Sequence, residues 1–172
     1  MTLDPGDELV DRLDDFGNVI GVITRRELRG SWIPHRCAYL LVFNSNDELF
    51  IHQRTATKAT HPLHWDVCVG GLPGVGESFD DAIRREAEEE IGVVVEPERP
   101  FPFHYADESS IVHGMVYRAV HDGPFRLQPE EVLGGEFVPL AEAVRRTERE
   151  SFCPDGVAVL TEFLQRLRQS KS

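Results

Sequence analysis

Cysteine is scarce in this sequence, and Cys37, Cys68 and Cys153 are an odd number with no CxxC pair. That excludes a disulfide framework and a zinc ribbon and fits a reducing cytoplasm. The chain also lacks any stretch near the ~18 consecutive apolar residues that a membrane helix requires. Met1–Arg12 carries Asp4, Asp7, Glu8 and Asp11 and has no apolar core, unlike a secretory signal. Basic residues are few as well. Against 30 Asp and Glu stand 18 Lys and Arg, a net charge of −12, so the broad basic surface that grips nucleic-acid backbones is excluded. Repeats, low-complexity tracts and a Gly/Ser linker are absent between Glu8 and Leu167, which predicts one domain over residues 1–172.

What is present is ordinary globular material, 41% hydrophobic and 28% charged, enough for one core. The opening stretch reads as a hairpin, Glu8–Leu13 and Val19–Thr24 about a turn at Asp14–Asn18, within an N-terminal extension of residues 1–30. Ala38–Phe43 is continuously apolar, as a doubly buried strand is, and the polar turn Asn44–Asp47 leads to an antiparallel partner at Leu49–Gln53. Thr55–His64 reads as a surface loop and Trp65–Val69 as a strand. Ser78 then opens a helix with an acid three places on, an apolar stripe of Phe79, Ala82, Ile83, Ala87 and Ile91, and a stop at Gly92. Val93–Val95, Phe101–Tyr105, Ile111–Val120 and Phe137–Val138 are expected as strands, and Ala141–Arg149 and Asp155–Gln169 as helices. The order points to an α/β fold, a mixed sheet with helices packed on it.

Chemistry concentrates in Gly71–Val93, GLPGVGESFDDAIRREAEEEIGV, where four of the five residues from Glu86 to Glu90 are glutamates. On a helix advancing ~100° per residue, Glu89 and Glu90 lie about 60° and 40° either side of Glu86, so three carboxylates share a face and Glu88 does not. Like charges at this spacing cost a helix roughly 0.2–0.5 kcal/mol per pair. A divalent cation reverses that sign. With oxygen ligands alone and no thiolate or imidazole, the cluster selects Mg²⁺ first and Mn²⁺ next, ions that usually work on phosphates. A run of glutamates also makes a solvated helix face, and the cluster alone does not choose between the two. Upstream, Gly70–Gly76 can form a tight loop, with Glu77 just before the helix. No Gly-Lys-Ser/Thr follows, which excludes a P-loop, and Phe79 stands where a dinucleotide fingerprint needs its third glycine.

Gly71, five residues, Glu77, seven residues, then Arg85-Glu86-Ala87-Glu88-Glu89-Glu90-Ile91-Gly92-Val93 resembles the Nudix box at every defined position, over residues 71–93. The flanking layout resembles the Nudix α/β/α sandwich with an added N-terminal hairpin. The resemblance implies that Glu86, Glu89, Glu90 and the carbonyl of Gly70 bind Mg²⁺, with Mn²⁺ able to substitute. It also implies that Glu77 supports the shell, that Arg85 orients the carboxylates, and that water attacks phosphorus in a diphosphate linked to another group. The general base is either a box glutamate such as Glu89 or a loop carboxylate, for which Glu130, Glu131 and Glu108 are candidates. Leu9–Asp11, Gly17–Gly21, His35-Arg36 and Gln53–Lys58 are similar to the branch that holds isopentenyl-diphosphate isomerase and its hydrolase-like bacterial relatives, which implies that Arg54 and Lys58 meet substrate phosphates. The isomerase cysteine and histidine are replaced by Gly70 and Leu72, Cys68 lies two residues early, and the position expected to partner His35 holds Leu28. Hydrolysis is therefore expected over isomerisation. A sensor that binds a nucleotide metabolite without cleaving it is a third reading, although such domains lose box acids and this one keeps them. The expected partner is a small-molecule diphosphate, recognised by Thr55–His64 and Tyr105–His113, and family habit implies a homodimer through the hairpin or the sheet.

Overall fold

The computed structural model describes residues 4–172, so Met1–Leu3 of the N-terminal extension lie outside the described residues. After a 3-10 turn at Pro5–Asp7, strands β1 (Leu9–Leu13) and β2 (Val19–Thr24) form the expected hairpin as a separate two-stranded antiparallel sheet. Asp14 holds its turn by accepting from the backbone N–H groups of Phe16 and Asn18, both at 2.9 Å. A single helical turn, α1 (Arg25–Leu28), follows, and Thr24 and Glu27 cap it reciprocally. The sequence reading did not separate it from the hairpin.

The main sheet is mixed. Strand β3 (Pro34–Phe43) runs through its centre and pairs in parallel with β8 (Ile111–Val120) over ten residues, from Pro34 opposite Ile111 to Phe43 opposite Val120. On its other side β3 meets β4 (Leu49–Arg54) at Phe43 and Leu49, and β6 (Val69–Gly71) along Ala38–Leu40. The short β5 (Trp65–Asp66) and the long β9 (Val132–Val138) both pair with β4, and β7 (Glu98–Ala106) closes the far edge on β8.

Alternation along β3 separates two cores. Ala38, Leu40 and Val42 face helix α2 (Phe79–Ile91) with its Ala82, Ile83, Ala87 and Ile91. Tyr39, Leu41 and Phe43 face the opposite layer, α3 (Leu140–Thr147) and α4 (Pro154–Gln169), with Val159 and Leu160 buried there. The result is helix, sheet and helix, each face of the sheet covered by an apolar stripe.

Three expectations need correction. Val93–Val95 forms no strand; Val93 and Val95 are buried and Val94 is exposed, so the alternation records burial of an extended segment without a ladder. The strand expected at Phe137–Val138 begins five residues earlier, at Val132, and runs through Gly134 and Gly135. A Cβ on Gly135 would lie 2.4 Å from the Phe50 ring, so glycine is what lets that ring cross the strand. Trp65–Val69 divides into β5 and β6, and Gly70 and Gly71 belong to β6 rather than to the following turn.

Candidate active site

Strand β6 leads into the turn before α2 on glycine at two close approaches. A Cβ on Gly70 would lie 2.0 Å from the Ala38 carbonyl oxygen, and one on Gly71 would lie 2.6 Å from Glu86 Oε1. Bare backbone at these positions lets β6 pass beneath Glu86. The turn then closes on itself: Gly74 N–H donates to Glu77 Oε2 at 2.7 Å, and Glu77 N–H to the Gly74 carbonyl at 3.0 Å. Ser78 caps α2 by accepting from Asp81 N–H at 3.1 Å, and Gly92 ends it in the left-handed conformation at φ 69°.

Arg85 organises the acids around it. Its Nε and Nη2 donate to the two oxygens of Glu77, each at 2.9 Å, while Nη1 donates to Glu86 at 2.9 Å and to Glu89 at 3.3 Å. The Glu77 pairing is bidentate, the strong form of a guanidinium contact, and this first pulls the Glu77 carboxyl below its usual range. Glu86 is buried, Glu90 half-buried and Glu89 exposed, while Glu88 is exposed on a different face. Burial pushes the Glu86 carboxyl up, opposed by Arg85 and reinforced by Glu89. Glu90 is pushed well up by burial and then by the charge of Glu86.

The three carboxylates thus share one side of α2 as their spacing predicts, yet they do not enclose a point. Among the described residues, no three His, Cys, Asp or Glu side chains converge closely enough to hold an ion. Arg85 stands among Glu77, Glu86 and Glu89 and pairs with each of them. The donor set still fits a hard divalent cation: it is all oxygen, and Glu86 and Glu90 repel each other in a way that a cation relieves.

A second strip of chain reaches this place from the C-terminal end of α2. Arg126 N–H donates to the Ile91 carbonyl at 3.0 Å and Gln128 N–H to that of Glu90 at 2.9 Å, which carries the 128–131 segment alongside the helix. Thr55 fastens it, with N–H donating to the Glu131 carbonyl at 3.2 Å and Oγ1 to that of Glu130 at 2.9 Å. Lys58 forms an ion pair with Glu131. Lys58 and Glu131 therefore come together beside Glu90, and both their charges act on it. The side chain of Glu130 is exposed. Arg54 turns to the Thr60 carbonyl, 2.8 Å from Nη2, and binds its own loop. Glu108 sits between β7 and β8, where its carbonyl accepts from the Trp32 indole N–H, and it shares no hydrogen bond with the box.

The model of the NUDIX domain matches residues 33–156, which takes in the central sheet, the glycine turn, α2 and the start of α4. The chain belongs to the Nudix hydrolase family. An uncharacterized Nudix hydrolase of Streptomyces coelicolor is 37% identical to it over 155 residues, covering 88% of this chain and 86% of that one. Another, from Pseudomonas aeruginosa, is 34% identical over 158 residues, covering 91% and 94%. Among solved structures, DR0079 from Deinococcus radiodurans superposes with a TM-score of 0.75 at 26% identity, covering 90% of this chain and 98% of that chain. The NUDIX domain of Shewanella oneidensis NrtR, solved with ADP ribose, shares the fold with a TM-score of 0.59 at 17% identity, covering 78% and 88%.

Two residues of this Nudix chain touch the box although the sequence, which marks them only as part of the branch resemblance, does not bring them together. Asp11 on β1 and Arg36 on β3 meet at 2.6 Å, and Arg36 Nη1 also donates to the Glu77 carbonyl at 2.8 Å. They stand 25 positions apart, and only the hairpin's docking joins them. Cys68 lies in the core beneath α3 and α4, on the sheet face away from α2, so its thiol does not face the box helix.

Proposed function

We propose that this Nudix chain, folded as one domain, hydrolyses a phosphoanhydride in a small molecule containing a diphosphate, such as a nucleoside diphosphate linked to another moiety. Mg²⁺, or Mn²⁺ in its place, would be held by Glu86, Glu89, Glu90 and the Gly70 carbonyl. The observation that carries the reading is the acid face of α2, where burial pushes Glu86 and Glu90 up, Glu89 adds to the effect on Glu86 and Glu86 to that on Glu90, while Arg85 ties Glu77, Glu86 and Glu89 into one unit. A bound divalent ion supplies charge neutralisation at phosphate oxygens and a lower pKa for a bound water.

The protein's own groups supply the rest. Arg85 orients Glu86 and Glu89 through one guanidinium, and Glu77 keeps that guanidinium in place. Glu131 supports the role of proton acceptor better than Glu130, since its side chain turns toward Lys58 and Glu90. Glu89 is the box alternative. Lys58 is the better placed of the two loop cations to meet a phosphate, because it stands with Glu131 beside Glu90, whereas Arg54 turns to Thr60. The loop 55–64 and the stretch 105–113, which is the turn 107–110 with the adjoining ends of β7 and β8, would set the leaving group, and the three free thiols suit action in a reducing cytoplasm.

The test is a screen of the purified protein with Mg²⁺ by mass spectrometry and phosphorus NMR. The pool holds nucleoside triphosphates, nucleotide sugars, dinucleotides, coenzyme A, NADH and isopentenyl diphosphate. Cleavage of a phosphoanhydride is the expected result and identifies the leaving group. Dimethylallyl diphosphate formed without phosphate release would overturn hydrolysis in favour of isomerisation. Retention of one compound uncleaved would overturn it in favour of a sensor.

A further inference from the structure

The N-terminal hairpin lies outside the box, yet it is fastened to the box by buried polar groups. Asp11 is only 5% exposed, although it is charged and sits on a two-stranded sheet at the edge of the protein. Its Oδ2 accepts from Arg36 Nη2 at 2.6 Å and from the backbone N–H of Gly76 at 3.3 Å. Arg36 carries the contact onward. Nη1 donates to the Glu77 carbonyl at 2.8 Å, Nη2 to the Gly74 carbonyl at 3.3 Å, and the guanidinium covers the ring of Phe79 at 5.3 Å. Hairpin and arginine together hold the glycine turn at Gly74, Gly76 and Glu77, and they touch the first residue of α2.

Two further observations separate this brace from an ordinary surface ion pair. Arg36 Nε is buried and has no partner among the described residues, so the guanidinium is kept where it engages the turn and not where all its donors are satisfied. Apolar packing points the same way. Val10, Ile23 and Leu28 of the hairpin and α1 form a small core of their own with Ile33 and with Leu72, a residue of the box turn.

We propose that Asp11 and Arg36 are positioning residues for the Nudix box, through which the N-terminal hairpin fixes the glycine turn and so sets Glu77 and Arg85. The chain of contacts is continuous: Asp11 and Arg36 hold the backbone at Gly74, Gly76 and Glu77; the Glu77 carboxylate holds Arg85; and Arg85 holds Glu86 and Glu89. Neither Asp11 nor Arg36 touches the reacting atoms. Their effect is on where the carboxylates stand before an ion or substrate arrives, and outer partners of this kind govern metal affinity and rate more than fold.

The inference rests on reading the box as the reaction centre, and the experiment keeps the two apart. Asp11→Asn keeps shape and removes charge. Arg36→Lys keeps charge and removes the fork that spans Asp11, Gly74 and Glu77. Arg26→Ala removes exposed pairs with Asp4 and Asp7, between α1 and the 3-10 turn that flank the hairpin, and serves as the control. Three quantities are measured for each: the Arg85 Nε–H and Gly76 N–H resonances and their hydrogen exchange, Mn²⁺ affinity by electron paramagnetic resonance, and kcat and KM on the substrate the screen identifies.

Both test variants should shift the Arg85 Nε–H signal and speed its exchange. They should also weaken Mn²⁺ binding and lower kcat by roughly 10- to 100-fold with KM little changed. The control should match the wild type in all three. An unchanged Arg85 signal in folded variants, or a lower melting temperature with wild-type Mn²⁺ affinity and kcat, would reduce the brace to a structural tie and overturn the proposal. Should the wild type show no metal-dependent turnover, the proposed function falls, while the resonances of Arg85 and Gly76 still decide the brace.

Discussion

Arg85 grips Glu77 with two parallel hydrogen bonds of 2.9 Å, and the remaining arm of the same guanidinium reaches Glu86 at 2.9 Å. One side chain therefore couples the glycine turn to the acid face of the helix. Replacing it with lysine keeps a positive charge and loses the planar fork that serves both partners at once. Arg85→Lys should stay folded and lose roughly 10- to 100-fold in kcat and in Mn²⁺ affinity. Circular dichroism and a metal titration check this, and wild-type affinity in Arg85→Lys would show that the fork is not what orders the carboxylates.

Gly70 and Gly71 should respond differently to the same substitution. Alanine at Gly70 drives a methyl to 2.0 Å from a backbone carbonyl on the central strand, an obstacle that cannot turn aside. Gly70→Ala should break the β3–β6 pairing and destabilise the protein by more than roughly 3 kcal/mol, in the tail of single substitutions. At Gly71 the obstacle is the end of the Glu86 side chain, 2.6 Å away, which can move. Gly71→Ala should keep most of its stability and lose activity through the displaced carboxylate. Urea unfolding alongside kinetics distinguishes the two, and equal stability losses would contradict the assignment.

The helix that carries the acids was legible in the sequence down to its ends, because its signals are local. Ser78 caps, Gly92 stops, and the apolar stripe and the glutamates alternate at helical spacing. The common face of Glu86, Glu89 and Glu90 follows from the same periodicity. What could not be read was anything set by chain segments meeting. Glu131 and not Glu130 faces Lys58, and Asp11 meets Arg36 and Gly76 only through the hairpin's docking. Strand β9 extends past the expected Phe137–Val138 because it pairs with the distant β4, where Gly135 makes room for the ring of Phe50.

Glu89 is exposed, and among the described residues its side chain pairs with Arg85 alone, at 3.3 Å. Glu89→Gln should therefore change stability by no more than about 0.5 kcal/mol, as surface substitutions do. Turnover should nevertheless fall by orders of magnitude if Glu89 binds the ion or takes the proton. A second readout needs no substrate: Mg²⁺ should raise the melting temperature of the wild type through binding to the folded state and raise that of Glu89→Gln less. Near-wild-type turnover and an unchanged Mg²⁺ shift would remove Glu89 from the site.

On the opposite face of the sheet, burial and the neighbouring charge of Asp155 push the Asp66 carboxyl up to about 7 from an ordinary 3.8. Asp155 is itself engaged, accepting from the Tyr39 hydroxyl at 3.0 Å. The folded protein thus holds the Asp66 proton over a range where the unfolded chain has lost it. Between 3.8 and about 7 the native state binds more protons, so stability contributed here is present at low pH and is lost as pH rises through that window. Asp66→Asn keeps an oxygen able to accept from Cys68 N–H, which Asp66 Oδ1 now does at 3.0 Å, and it cannot ionise. The variant should gain on the wild type by at most roughly 1.4 kcal/mol per pH unit across the window, and the gain should level off above it. Urea unfolding of both proteins at intervals from acid to neutral pH measures this; a stability difference that stays flat with pH would mean that Asp66 is ionised in the folded protein throughout.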